Sequence, residues 1–157
     1  MSEMALWQKF IRQGQRIVGL ALRPMTLGVR VIALDETGRV FLVRHTYIPG
    51  FHLPGGGVER GETAVASLRR EMEEEGGLVS EETPRLIGFY HNPRHSRRDH
   101  VALYLVCGAR QVKPRAPDWE IAESGFFPLD ALPAEATAST RARIAEYLQQ
   151  AAPSPIW

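Results

Sequence analysis

Glu71, Glu74 and Glu75 stand at i, i+3 and i+4 in a stretch, Thr63–Glu75, that contains no glycine or proline and many good helix formers. At about 100° per residue these three carboxylates share one face of a helix, while Glu73 projects to nearly the opposite side. Like charges at this spacing cost an isolated helix roughly a few tenths of a kcal/mol per pair, and these also sit near the negative end of the helix dipole. A local conflict of this kind points to function rather than stability. Hard oxygen ligands suit Mg²⁺ or Mn²⁺, which would neutralise the cluster and keep coordination positions for water and substrate phosphates. The plain alternative is a solvated acidic helix surface, the usual fate of a charge run considered alone.

The elements around this helix can be read from pattern. Val65, Leu68 and Met72 form a separate apolar stripe that would pack the helix on a sheet and leave the glutamate face at a cleft. Gly76-Gly77 stops the helix, and the glycines at 55–57 allow a tight turn ahead of it whose N–H groups could hold a phosphate oxygen. Leu27–Leu34 and Val40–Val43, separated by the turn Asp35-Glu36-Thr37-Gly38, predict a β-hairpin. Leu86–His91 and His100–Val106 predict strands that flank a polar loop. Gly125–Phe127 belongs to another strand, and a final helix spans about Ser139–Gln150. Trp7, Phe10, Ile11, Ile17, Val18 and Ala21 recur at roughly helical intervals, so residues 1–24 are expected to form a helical segment on the body. The domain proper then covers 25–150, and 151–157, with two prolines, is an extended tail.

Gly56–Leu78 reads GGVERGETAVASLRREMEEEGGL and resembles the Nudix box: glycine, five residues, glutamate, seven residues, then arginine-glutamate-aliphatic-any-glutamate-glutamate-any-glycine-aliphatic. Gly56, Glu62, Arg70, Glu71, Met72, Glu74, Glu75, Gly77 and Leu78 match every defined position. A chance match is on the order of 10⁻⁸ per register at background residue frequencies. The resemblance implies an α/β (α+β) fold, an α/β/α sandwich with a mixed β-sheet. It also implies hydrolysis of a nucleoside diphosphate linked to another group by attack of a metal-activated water on phosphorus. The expected metal set is Glu71, Glu74 and Glu75 with Gly56, and Glu62 and Arg70 are expected to form an ion pair fixing the loop against the helix. The general base stays open between the box helix and a later glutamate. Glu120 and Glu123 lie where many family members carry one, with Glu120 preferred.

Substrate recognition is less sharply written. The loop 91–100 concentrates Arg94, Arg97 and Arg98 with three histidines, and arginine forks suit phosphate oxygens, although a merely solvated loop fits nearly as well. Arg44 and His45 end the second strand and could reach the cleft. Tyr47, Phe51 and His52 could stack on a base or pack under the loop. Pro93, fifteen residues beyond Leu78, resembles the marker of ADP-ribose pyrophosphatases within the family. The alternatives are a nucleoside triphosphate pyrophosphatase with the same chemistry, and a Nudix-fold sensor or RNA-binding module without turnover, whose hallmark would be eroded box carboxylates.

Size and composition agree with this reading. The chain has 157 residues, 44% hydrophobic and 24% charged, which is one globular domain's worth. Nineteen basic against eighteen acidic residues give a net charge of +1, no global field for long nucleic acid, which leaves room for the small nucleotide diphosphate partner that the resemblance implies. The single Cys107 excludes an internal disulfide and a four-thiolate metal site. Cysteine usage this sparse points to a reducing compartment, so a cytoplasmic protein is expected, and Ile17–Leu22 is too short to span a membrane. Trp7 and Phe10 could serve an intramolecular lid or a homodimer contact.

Overall fold

The computed structural model describes residues 25–114 and 116–157, so the helix expected within 1–24 lies outside the described residues. Strand β1 (Thr26–Ala33) runs parallel to β6 (Asp99–Val106), and β5 (Arg85–His91) pairs antiparallel with β6, giving a mixed sheet ordered β1-β6-β5. A second sheet is ordered β3-β2-β8, from Phe51–His52, Val40–His45 and Ile121–Phe127. The short strands β4 (Leu78–Val79) and β7 (Arg110–Gln111) pair behind the first helix.

Two helices cover the sheets. Helix α1 (Ala64–Gly76) starts at Thr63, whose hydroxyl accepts from the Ala66 N–H at 3.1 Å, and ends at Gly77, whose left-handed backbone (φ 58°) lets its N–H reach the Glu73 carbonyl at 2.8 Å. Helix α2 (Ala138–Tyr147) is capped by Thr137 and stops short of the expected Gln150, at Leu148, before Gln149 adopts φ 58°. The strands alternate between two cores. Val29, Val31, Phe41, Val43, Ala102 and Tyr104 meet Leu68 and Met72 of α1, whereas Ile32, Leu42, Leu103 and Leu105 face the side of Ile144 on α2. The molecule is therefore a mixed α+β fold with strands buried on both faces between helices.

Two expectations need correction. The turn after β1 forms, with Asp35 Oδ1 accepting from the N–H groups of Thr37 and Arg39 at 2.9 Å each, but β1 and β2 do not make a hairpin. They belong to different sheets and meet at an isolated Leu34–Val40 bridge. Both strands are apolar on both faces, and each face is covered by a core, one under α1 and the other on the side of α2, so neither strand is half-exposed as a hairpin strand would be. Val65 does not join the packing stripe of α1, for it is 36% exposed. The buried face is Ser67, Leu68, Met72, Glu75 and Gly76, so Glu75 shares the face that packs on the sheet.

Candidate functional site

Gly55–Gly57 forms the turn on which the site is built. The N–H of Val29 donates to the Gly56 carbonyl at 2.9 Å and that of Val31 to the Pro54 carbonyl at 3.0 Å, which pins the turn to β1. Gly55 has φ 142° and its backbone lies against that of Val29 and Arg30, with no room for a Cβ. Gly56 presses on the carboxylate of Glu71, and a Cβ there would come within 2.6 Å of the Glu71 Cδ. Arg30, on β1, donates to the carbonyls of Leu53 (3.0 Å) and Gly55 (2.5 Å), bracing the same turn from the opposite side.

The three box glutamates on α1 meet different surroundings. Glu75 is 5% exposed; its Oε2 accepts the Gly55 N–H at 2.8 Å and its Oε1 lies 3.3 Å from His45 Nε2 at the end of β2. Burial pushes the Glu75 carboxyl up to about 7, against the pull of Arg30 and the Gly55 N–H, and the charges of Glu71 and Glu120 push in the same direction as burial. Glu71 is largely covered and takes a 2.7 Å ion pair from Arg70 Nη1. Glu74 is more open, 3.2 Å from the same nitrogen. Arg70 also reaches Glu62 Oε1 at 3.1 Å, and this bond leads the effects that hold the Glu62 carboxyl below its usual range and the guanidinium above its own. Arg70 thus ties the loop to the helix while neutralising two carboxylates.

Of the later glutamates, Glu123 is turned to Arg44, with 2.8 Å between Oε2 and Nη2 on the exposed side of β2 and β8. Glu120 is set differently. Asp118 Oδ1 accepts the N–H groups of Glu120 and Ile121 at 2.8 Å each, and the Glu120 carbonyl accepts from Thr46 N at 2.9 Å, next to His45. Its charge raises both Glu75 and the phenol of Tyr47, whose own burial acts first, and its backbone carbonyl is bonded to Thr46, the neighbour of the His45 that faces Glu75. Arg94, Arg97 and Arg98 are exposed on their loop, and Phe51 is buried in the core, so it packs rather than stacks on a ligand.

Beside Gly56 opens a cleft of about 550 Å³ between β1 and the loop after β5. Its walls include Arg30, Asn92, His95, Asp99 and Trp157. The Asn92 amide donates to Asp99 Oδ2 at 2.8 Å, and Thr26 Oγ1 to Asp99 Oδ1 at 2.7 Å. Sequence reading passed over Arg30, although a charge inside the apolar run LGVRVIAL is a visible signal. Asn92, Asp99 and Trp157 carry no such signal, because only the fold brings them to the cleft.

Among the described residues no three His, Cys, Asp or Glu side chains already form a cage for a cation. Glu71 and Glu74 are engaged by Arg70, and Glu75 by Gly55 and His45. The donor chemistry nevertheless fits a hard divalent ion. The group is all oxygen, it is partly desolvated, and mutual repulsion with Glu71 and Glu120 adds to the burial that makes ionised Glu75 costly in the absence of a counter-charge.

A complete glutamate box on the helix, its glycine turn locked to β1, and a mixed sheet between two helices define a family. The NUDIX domain profile matches residues 24–148, and the chain belongs to that family. Among curated relatives, it is 33% identical over 87 residues to a Bacillus subtilis protein provisionally named an 8-oxo-dGTP diphosphatase, covering 55% of this chain and 58% of that one. It is 32% identical over 104 residues to an ADP-ribose pyrophosphatase of Methanocaldococcus jannaschii, covering 64% and 60%. The chain thus spans 58–60% of the length of these relatives. The crystal structure of a MutT NUDIX hydrolase from Burkholderia pseudomallei superposes with a TM-score of 0.64 at 26% identity, covering 76% of this chain and 95% of that one. No helix among the described residues is long and apolar enough to cross a membrane.

Proposed function

We propose that the protein is a divalent-metal-dependent pyrophosphohydrolase acting on a nucleoside diphosphate linked to a second group, with ADP-ribose as the type of substrate. The observation that carries this reading is the intact carboxylate set of α1 packed against the Gly55–Gly57 turn, with Glu71 against Gly56 and Glu75 bonded to Gly55. Glu71, Glu74 and Glu75, with the Gly56 carbonyl, would hold Mg²⁺ or Mn²⁺. Such an ion, when bound, offsets charge on the diphosphate oxygens and lowers the pKa of the attacking water.

The chain's own groups supply the rest. Glu120, whose backbone is held by Asp118 and Thr46, would take the proton from the attacking water in preference to Glu123, whose carboxylate is engaged by Arg44. Arg70, once Glu71 and Glu74 turn to the ion, keeps its bond to Glu62 and so preserves the loop geometry. Arg30 holds the Leu53 and Gly55 carbonyls, which keeps the neighbouring N–H of Gly55 aimed at Glu75.

Pro93 and the Methanocaldococcus relative favour an ADP-ribose-like substrate, while the Bacillus relative favours hydrolysis of a triphosphate. Relatives from Xanthomonas campestris named RNA pyrophosphohydrolase, 36% identical over 90 residues, add a 5′-triphosphate RNA end to the set worth testing. The deciding experiment is turnover of ADP-ribose, the common and 8-oxo nucleoside triphosphates and a 5′-triphosphate RNA, with Mg²⁺ and with Mn²⁺. ADP-ribose should give AMP and ribose phosphate; pyrophosphate from a triphosphate would move the assignment to the second substrate class. An absence of turnover throughout the panel would leave a binding module and remove the catalytic reading.

A further inference from the structure

The segment after α2 is fastened by charges that the reaction does not use. The Pro155 carbonyl accepts the His91 N–H at 2.9 Å and the Trp157 N–H donates to the His91 carbonyl at 3.0 Å, which adds Ile156 in parallel along the edge of β5. On α2, Arg143 is 3% exposed and Glu146 is almost as deeply covered, and they pair at 2.7 Å. Arg143 Nη1 donates to the Ile156 carbonyl at 2.8 Å; Glu146 accepts from the Ser154 N–H at 2.9 Å and from the Tyr90 hydroxyl at 2.9 Å. The Arg143 guanidinium also lies 4.2 Å from the centre of the Tyr90 ring. Two buried charges are an expensive way to hold a surface segment, and replacing them by apolar groups is commonly neutral or better for stability. Their effect on geometry is specific: Trp157 is set edge-on to Tyr90 at 5.5 Å, with the Arg143 guanidinium 5.5 Å from its ring centre, and it lines the same cleft as Gly56.

We infer that Trp157 is the aromatic surface on which the substrate's nucleobase packs. This rests on the site reading above, in which the diphosphate lies at the carboxylates beside Gly56. The cleft that Gly56 lines is lined also by Trp157 and by Asn92, whose amide, oriented by the buried Asp99 carboxylate, keeps an oxygen and a second N–H for a base edge. An indole face provides a large rigid area for stacking and tolerates any base, so it supplies nucleoside affinity while the polar pair supplies choice.

The test compares two ligands that resist hydrolysis, α,β-methylene ADP and methylenediphosphonate, titrated calorimetrically against the wild type and the variants Trp157→Leu and Trp157→Phe in Mg²⁺. Leucine preserves apolar packing on Tyr90 and so guards against a simple folding failure, which a melting curve checks. Trp157→Leu is expected to weaken α,β-methylene ADP about tenfold, equivalent to about 1.4 kcal/mol, with methylenediphosphonate unchanged and with phenylalanine restoring most of the loss. With a hydrolysed nucleotide, the loss should fall on KM rather than kcat. Equal weakening of both ligands, or no weakening of either, overturns the inference. A wild type that binds α,β-methylene ADP through Trp157 yet hydrolyses nothing refutes the catalytic reading alone, whereas an active enzyme indifferent to Trp157→Leu refutes this inference alone.

Discussion

Glu75→Gln should make the metal-free protein more stable and the enzyme nearly inactive. The carboxyl of Glu75 is raised from 4.5 to about 7 chiefly by burial, so the folded state binds its proton more tightly than the unfolded chain does. Stability from this group is therefore fully present below pH 4.5 and is lost as the pH rises through about 7. At 1.36 kcal/mol per unit the loss above pH 7 is about 3 kcal/mol, an upper bound in which both states are unrelaxed. Glutamine keeps an oxygen for the Gly55 N–H and removes the charge, so it should recover most of that loss. For a chain of this size the gain corresponds to roughly 6–12 °C in melting temperature at pH 8. Thermal unfolding in a chelator from pH 4.5 to 8 checks the argument: the wild type should lose stability across the interval relative to Glu75→Gln. Added Mg²⁺ should then raise the wild type far more than the variant, because it binds the folded carboxylate form. A variant no more stable than the wild type at pH 8, with the same pH slope, would show that Glu75 is not ionised at a thermodynamic cost, and the link between its burial and cation demand would fail.

Glu74→Gln is expected to lower the rate by orders of magnitude while leaving the melting temperature within a degree or two, since the side chain is the most open of the three; near-normal turnover at saturating Mg²⁺ would remove it from the metal set. Glu120→Gln should cost about 10²-fold or more in kcat and flatten the acidic limb of the pH–rate profile, whereas Glu123→Gln, which breaks only an exposed pair with Arg44, should cost little; the reverse ranking in a steady-state assay would exchange their roles. Gly77→Ala places a Cβ on the Lys113 carbonyl in a left-handed position and should destabilise by at least about 2 kcal/mol, measured by denaturant unfolding.

The elements that sequence fixed well are those whose identity depends on local rules. Thr63 and Gly77 bound α1 because a cap hydroxyl and a left-handed glycine act within one turn of the chain. The strands around Leu27–Leu34 and His100–Val106 were legible because β-branched runs between turn residues are local too. Pairing is not local. Asp35–Gly38 makes the turn that a hairpin needs, yet β1 goes to β6, more than sixty residues away, in a sheet whose two faces are covered by separate cores, and no local rule encodes that pairing. The same limit explains Val65: an i, i+3, i+7 stripe does not say which way the helix is rolled, and the sheet chose the side bearing Ser67 and Glu75.

That roll has a consequence for the chemistry. Were the acidic and packed faces of α1 separate, all three glutamates would stand in water, each near its ordinary acidity and each free to adopt many rotamers. Instead Glu75 is drawn into the seam between α1, β2 and the glycine turn, where one N–H and one imidazole fix it, while Glu71 and Glu74 stay under the hold of Arg70. A cation entering that seam would meet one rigid, desolvated donor that gains most from it and two adjustable donors that Arg70 keeps in place until then. On the proposed reading, that division between a fixed ligand and movable ones would suit a small, hard ion and leave room for substrate oxygens.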